Sequence, residues 1–175
     1  MEKEKDKIIL EWYEKFGDAI FKYILIMIQD YQQAEDLTNE TFFKAFLRLD
    51  TFKGQASEKT WLYRIAHNLT VDMIRKKKPL LLIKEAFLLK KDDCPLPEEI
   101  LQMKEQSLNL YHALSSLKKS YREVIILRKL KEFSIEETAE ILGWSESKVK
   151  STLFRAIRSL EKELKKEGEL NGKVI

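Results

Sequence analysis

Cysteine is all but missing from this chain. Cys94 is the single one, so an intramolecular disulfide framework is excluded and at most one thiolate is available to a metal. That usage fits a reducing cytosol and a cytoplasmic protein, with Cys94, between Asp93 and Pro95, incidental rather than a redox sensor. Five glycines and three prolines are too few for the turns of a strand-rich fold, whereas the abundant Leu, Ile, Lys and Glu suit helices. No run of about 18 uninterrupted apolar residues exists, and the mixed charges of Met1 to Lys7 are unlike a signal peptide, so a soluble, unexported chain is expected. Histidine is scarce as well: neither His67 nor His112 has a Glu three residues before it. A carboxylate-bridged metal site drawing on Glu35, Asp36 and Glu40 would need such Glu-x-x-His pairs. The sequence therefore calls for no metal, no cofactor and no catalysis. Charge of one sign is also weak, at a net +3, and only its distribution is informative.

What is present is 175 residues, 44% of them hydrophobic, enough for one medium domain or two small ones. The expected class is all-α: two small helical domains joined by a linker, the C-terminal one a helix-turn-helix. Pro79, Pro95 and Pro97 fall together with Lys90, Lys91, Asp92 and Asp93, which marks residues 79–105 as the linker between domains at 1–78 and 106–175. The apolar run Leu80, Leu81, Leu82, Ile83 inside it implies that part of the linker packs on something. Periodicity predicts helices over about 8–29, with a break at Gly17 and Asp18, then 33–49 and 59–76. After the linker it predicts helices at about 98–115, 118–131, 135–142 and 146–166.

The stretch from Phe133 to Leu160 carries the clearest motif. Ser134 to Glu137 reads as a capping box with acids in the first turn, and Gly143 ends that helix. A second helix starts at Ser145 and buries Val149, Leu153, Ala156, Ile157, Leu160 and Leu164. Its free face offers Lys148, Ser151, Thr152 and Arg155. Two helices joined by a short Gly-containing turn, the second basic on its free face, make a helix-turn-helix. Lys148 and Lys150 lie near a helix N-terminus, where the dipole favours anions, and a DNA phosphate or base edge would relieve that conflict.

The helix at 59–76 pairs its apolar stripe with Arg64, His67 or Asn68, Asp72 and Arg75, and ends in Arg75, Lys76, Lys77, Lys78. Trp61 and Tyr63 stand at its start, next to the loop Phe52, Lys53, Gly54, Gln55, Ala56, Ser57. Cations, amide donors and flat rings beside a Gly-containing loop suit single-stranded nucleic acid: charge for phosphates, rings for unstacked bases.

The string from Ala34-Glu35-Asp36-Leu37-Thr38-Asn39-Glu40 to Phe43-Lys44-Ala45, then Phe52-Lys53-Gly54 and Thr60-Trp61-Leu62-Tyr63-Arg64-Ile65-Ala66-His67-Asn68, resembles the second conserved domain of extracytoplasmic-function sigma factors. The segments Ala139-Glu140-Ile141-Leu142-Gly143 and Val149-Lys150-Ser151 followed by Arg155-Ala156 are similar to their fourth domain. The resemblance spans nearly the whole chain and implies an alternative sigma factor that binds core RNA polymerase and directs it to promoters. Asp36, Asn39, Glu40 and Phe43 would grip the clamp of the polymerase's largest subunit. Lys53, Gly54, Gln55, Ser57, Trp61, Arg64, His67, Asn68, Arg75 and Lys76 would hold the minus-ten element on the non-template single strand. Ser147, Lys148, Ser151, Thr152 and Arg155 would read the minus-thirty-five element as duplex, with the same domain touching the polymerase flap. A membrane-linked anti-sigma factor is a further implied partner. The chain departs from the usual family pattern at Glu58, where an aromatic is common, at Ser147 and Lys148, where Gly-Thr is common, and at Thr152, where Arg is common. The rival reading is a stand-alone helix-turn-helix regulator with an N-terminal sensor domain, which would bind its promoter tightly as a dimer without polymerase.

Overall fold

The computed structural model describes residues 2–87 and 105–171, with the side chains of 78–87, 105–107, 167 and 169–171 left aside. Cys94, Asp92, Pro95, Pro97 and the expected helix start at 98 lie outside the described residues. Those residues form two compact units, 2–87 in the first and 105–171 in the second.

In the first unit, α1 runs Glu2–Ile28, α2 Tyr31–Arg48 and α3 Glu58–Phe87, with a 3-10 turn at Leu49–Thr51. The expected break at Gly17 does not occur. Gly17 is buried inside α1, where a Cβ would meet the Tyr13 ring at an ordinary 3.6 Å, and Lys22 bridges Asp18 at 2.7 Å across the same turn. The break comes instead at Gln29, which takes a left-handed φ of 57°. Asp30 then caps α2 by accepting the Gln33 N–H at 3.0 Å. Ser57 starts α3, its Oγ accepting the Thr60 N–H at 3.1 Å. That helix continues through Pro79, so the first part of the segment read as linker is helical. Pro79 has no N–H for the carbonyl one turn back.

The three helices pack on one another around Ile20, Tyr23 and Ile24 of α1, Leu37, Phe42 and Ala45 of α2, and Leu62, Tyr63 and Ala66 of α3. Three threonines sit within this core at no cost in unmade hydrogen bonds. Thr38, Thr41 and Thr70 each donate to the carbonyl four residues back, at 2.7, 2.7 and 2.8 Å, which satisfies the hydroxyl inside the helix.

The second unit contains α4 Glu105–Ser116, α5 Lys119–Ile125, α6 Ile135–Leu142 and α7 Glu146–Asn171. The helix expected over 118–131 changes to a π-helical turn at Ile126–Leu130, and Glu132 then reverses the chain with φ at 59°. Arg122 satisfies the orphan carbonyls at and just beyond the end of α4, donating to Leu114 at 3.0 Å, Ser115 at 2.8 Å and Leu117 at 3.0 Å. Helices α4, α5 and α6 all pack against α7, closing over Leu114, Val124, Ile126, Leu127, Phe133, Ile141, Val149 and Ala156.

Candidate nucleic-acid interface

The helix-turn-helix is built by caps. Ser134 Oγ accepts the Glu137 N–H at 3.0 Å while Glu137 accepts the Ser134 N–H at 2.8 Å, so the capping box expected from sequence is complete. Gly143 ends α6 in the left-handed region, φ 66°, and Ser145 starts α7 by accepting the Lys148 N–H at 3.2 Å. Lys148 Nζ lies 4.2 Å from the centre of the Trp144 ring. That cation–π contact eases the conflict between a lysine and a helix N-terminus and holds the charge above the turn.

Along α7, Ser147, Lys148, Ser151 and Arg155 are exposed. Arg155 Nε donates to the Ser151 carbonyl at 3.2 Å, which draws the guanidinium along the outer face. Thr152 is a correction. Read as a free-face residue, it is 5% exposed and belongs to the core side of α7 with Val149 and Ala156. Its methyl lets it join the apolar stripe despite the hydroxyl. Phe154 is the converse case: 58% exposed, at the centre of the outward stripe, with the Arg158 guanidinium 4.3 Å from its ring. Phe154 was not among the residues expected on this face, although its helical offset from Ser147 and Ser151 was the available signal.

In the first unit the loop between α2 and α3 carries exposed Lys53, Gly54, Gln55 and Ser57, with Gly54 at φ 68°, a region glycine adopts freely. It is pinned from below by three rings. Phe52 meets Trp12 at 5.4 Å and Trp61 at 5.1 Å between centroids, and Trp12 meets Trp61 at 6.0 Å. Trp61 is therefore partly covered beneath the loop rather than standing clear of it.

On α3, Arg64, Asn68, Arg75 and Lys76 are exposed, and Arg75 bridges Asp72 at 2.9 Å. His67, read as a polar-face residue, is a second correction. It is 7% exposed, with its Nδ1 3.0 Å from Tyr23 Oη, so it ties α3 to α1 instead of facing solvent. Asn68 opens on a hollow of about 310 Å³ between α2 and α3, lined by Lys44, Arg48, Ile65, Leu69, Val71 and Asp72. Asn68 follows Ser57 by about three turns of α3, and Arg48, five residues before Lys53, lines the same hollow as Asn68.

Asp36, Asn39, Glu40 and Phe43 are all exposed along α2, Glu40 bridging Lys44 at 3.2 Å. Phe43 is 61% exposed and borders an apolar groove with Ile9, Leu10 and Tyr13 of α1, and Leu47, one turn on, is exposed too. The α1 side of this patch was not read from sequence, because Leu10 and Tyr13 fit the apolar period of α1. Among the described residues no group of three His, Cys, Asp or Glu side chains converges, and none of their helices is long and apolar enough to cross a membrane.

Residues 12–79 match the sigma-70 region 2 family and residues 107–160 match sigma-70 region 4. RNA polymerase sigma factor YlaC of Bacillus subtilis (strain 168) is 37% identical over 169 residues, covering 95% of this chain and 97% of that protein. The ECF RNA polymerase sigma factor SigX of the same organism is 34% identical over 160 residues, covering 87% and 81% of the two chains.

The chain belongs to the extracytoplasmic-function family of RNA polymerase sigma factors.

It is accordingly an alternative sigma factor, directing RNA polymerase to promoters, and its second unit is the family's helix-turn-helix. The fold agrees. The sigma factor RpoE in complex with the anti-sigma factor NepR from Bartonella quintana superposes with a TM-score of 0.76 at 24% identity, covering 91% of this sigma factor and 98% of that chain. CnrH in complex with the cytosolic domain of CnrY superposes with a TM-score of 0.69 at 22% identity, covering 91% and 89%.

Proposed function

We propose that this sigma factor works in the cytoplasm as a binding and positioning factor with three separate surfaces, and that its domains divide at 1–78 and 106–175 with the intervening segment as tether. Asp36, Asn39, Glu40 and Phe43 dock on the clamp of the polymerase's largest subunit. Lys53, Gly54, Gln55, Arg64, Asn68, Arg75 and Lys76 engage the non-template strand of the minus-ten element, with Trp61 and the hydroxyl of Ser57 shaping the loop. Ser147, Lys148, Ser151, Arg155 and Phe154 read the minus-thirty-five duplex, and the same unit meets the polymerase flap.

The observation that carries this reading is the α2 face. Two carboxylates and an amide stand exposed beside a large aromatic ring that the core does not use, as a protein-docking surface requires and a solvated helix face does not. The sigma factor RpoE is held by the anti-sigma factor NepR and CnrH by the cytosolic domain of CnrY, and an anti-sigma factor linked to the membrane is inferred here. Asp36→Arg combined with Glu40→Arg turns attraction into repulsion on one exposed face. The folded double variant should no longer co-purify with core polymerase, and unchanged co-purification would overturn the assignment.

A further inference from the structure

We infer that Lys148 contacts a phosphate at the edge of the duplex rather than a base, and that Trp144 is the residue that positions it there. This rests on the duplex reading of α7 above and separates, within that face, the group that anchors from those that select.

Lys148 stands three residues after Ser145, in the first turn of α7. Side chains on a helix lean toward its N-terminus, so a lysine at this place folds back over the residue that precedes the cap. That residue is Trp144, and Lys148 Nζ lies 4.2 Å from the centre of its ring. The backbone under the ring is fixed: the Trp144 N–H donates to the Ala139 carbonyl at 3.0 Å, and Gly143 turns the chain in the left-handed region. Glu123 of α5, 4% exposed, adds an electrostatic attraction for the same ammonium from the buried side of the unit. Elsewhere in this turn charge is matched, since Lys150 bridges Glu146 at 3.9 Å. Lys148 has no such ion pair among the described residues, so its charge is available to a ligand.

A helix about 10–12 Å across fills a major groove about 12 Å wide. A charge held off the N-terminal end of that helix, above the turn, therefore meets the sugar-phosphate wall of the groove. Ser151 and Arg155, about one and two turns farther along α7, face the base edges instead. An ammonium serves a phosphate as a point charge, and the indole face keeps it from swinging along the outer stripe.

The test uses holoenzyme, made from full-length chain and core polymerase, with labelled duplex carrying the minus-thirty-five element and a set in which each base pair of that element is substituted. Lys148→Ala should weaken binding to every duplex by one common factor and keep the order of preference among them. It should also reduce the slope of log affinity against log salt by about one, so that the parent's advantage shrinks about 3.5-fold between about 50 and about 200 mM salt. Arg155→Ala should instead change the order of preference at one position. Trp144→Leu should lower affinity, while the double variant Trp144→Leu with Lys148→Ala should bind no more weakly than Lys148→Ala alone. Trp144→Phe, which keeps a ring face, should retain most of the parent's affinity. Trp144→Met runs the same cycle should Trp144→Leu fail to fold by circular dichroism. Additive losses in the cycle would overturn the positioning role of Trp144. An altered base preference in Lys148→Ala, or an unchanged salt slope, would overturn the phosphate contact while leaving the duplex reading intact. Unchanged duplex affinity in both Lys148→Ala and Arg155→Ala would overturn the duplex reading itself, and the phosphate contact with it.

Discussion

Phe154 and Thr152 lie two residues apart on α7 and face opposite ways. Phe154 is exposed, with the Arg158 guanidinium over its ring, on the helix proposed to enter the duplex, where an aromatic ring would meet thymine methyl groups in the major groove. Phe154→Ala should weaken binding to minus-thirty-five duplex by about 1 kcal/mol and leave the unfolding midpoint nearly unchanged. Thr152→Ala should show the reverse, a stability loss of about 1 kcal/mol with duplex affinity retained. Paired fluorescence-anisotropy titrations and urea melts check both, and equal effects on binding would show that Thr152 shares the DNA face. Glu123 is a second residue with a readable consequence. Burial pushes its carboxyl above the usual carboxylate value, and Lys119, at 3.5 Å, pulls it back. A carboxyl raised in the folded state holds its proton there after the unfolded chain has lost it. Stability therefore falls as pH climbs from the ordinary carboxylate range through the raised value, then levels. Lys119→Ala removes the compensation and widens that window, so the variant should lose more stability at pH 8 than at pH 5, as measured by chemical denaturation. A loss independent of pH would mean that Lys119 does not compensate Glu123. Neither Thr152 nor His67 could be placed from sequence, because each has a polar atom and a packable body, and polarity alone does not say which part faces inward. Ser134, Glu137 and Gly143 could be placed, because caps act through local backbone geometry that a short motif specifies.

At the scale of elements, the apolar periods of α1, α2 and α3 located the helices, while their ends were set by particulars. Gly17 and Asp18 suggested a break, yet the Tyr13 ring packs against Gly17 and Lys22 bridges Asp18, and α1 passes through. Since a Cβ at Gly17 meets Tyr13 only at ordinary contact distance, 3.6 Å, Gly17→Ala should stabilise the first unit by about 0.5 to 1 kcal/mol through the unfolded chain's lost freedom. A lowered thermal midpoint would show that the position is tighter than its geometry implies. Helix α3 extends past Pro79 to Phe87, which sequence reading stopped short of because proline inside a helix forfeits a hydrogen bond. The π-helical turn at Ile126–Leu130 and the left-handed Glu132 were also invisible. They reconcile the continuous apolar run Val124–Leu127 with the reversal into α6, a tertiary demand that no local pattern encodes.

For the molecule as a whole, the proposed nucleic-acid surface of each unit is small, so on that reading neither alone would account for selective promoter recognition, and linkage would multiply their affinities by raising effective concentration. The helical continuation to Phe87 shortens the reach of that link relative to a fully extended segment, since a helix rises about 1.5 Å per residue against about 3.3 Å for extended chain. That shortening, about 16 Å over residues 79–87, is too small to fix spacing by itself; a narrow spacing is expected because both units would dock on one polymerase surface. The most direct test is run-off transcription with purified core polymerase and this chain on a library of promoters in which both elements and their spacing vary. Transcripts should arise only with core polymerase and chain together, from templates sharing both elements at one narrow spacing, and should fall when Lys148 or Arg155 is replaced by alanine. Unselective transcription, or tight binding of the free chain to promoter duplex as a dimer with no gain from core polymerase, would contradict the account.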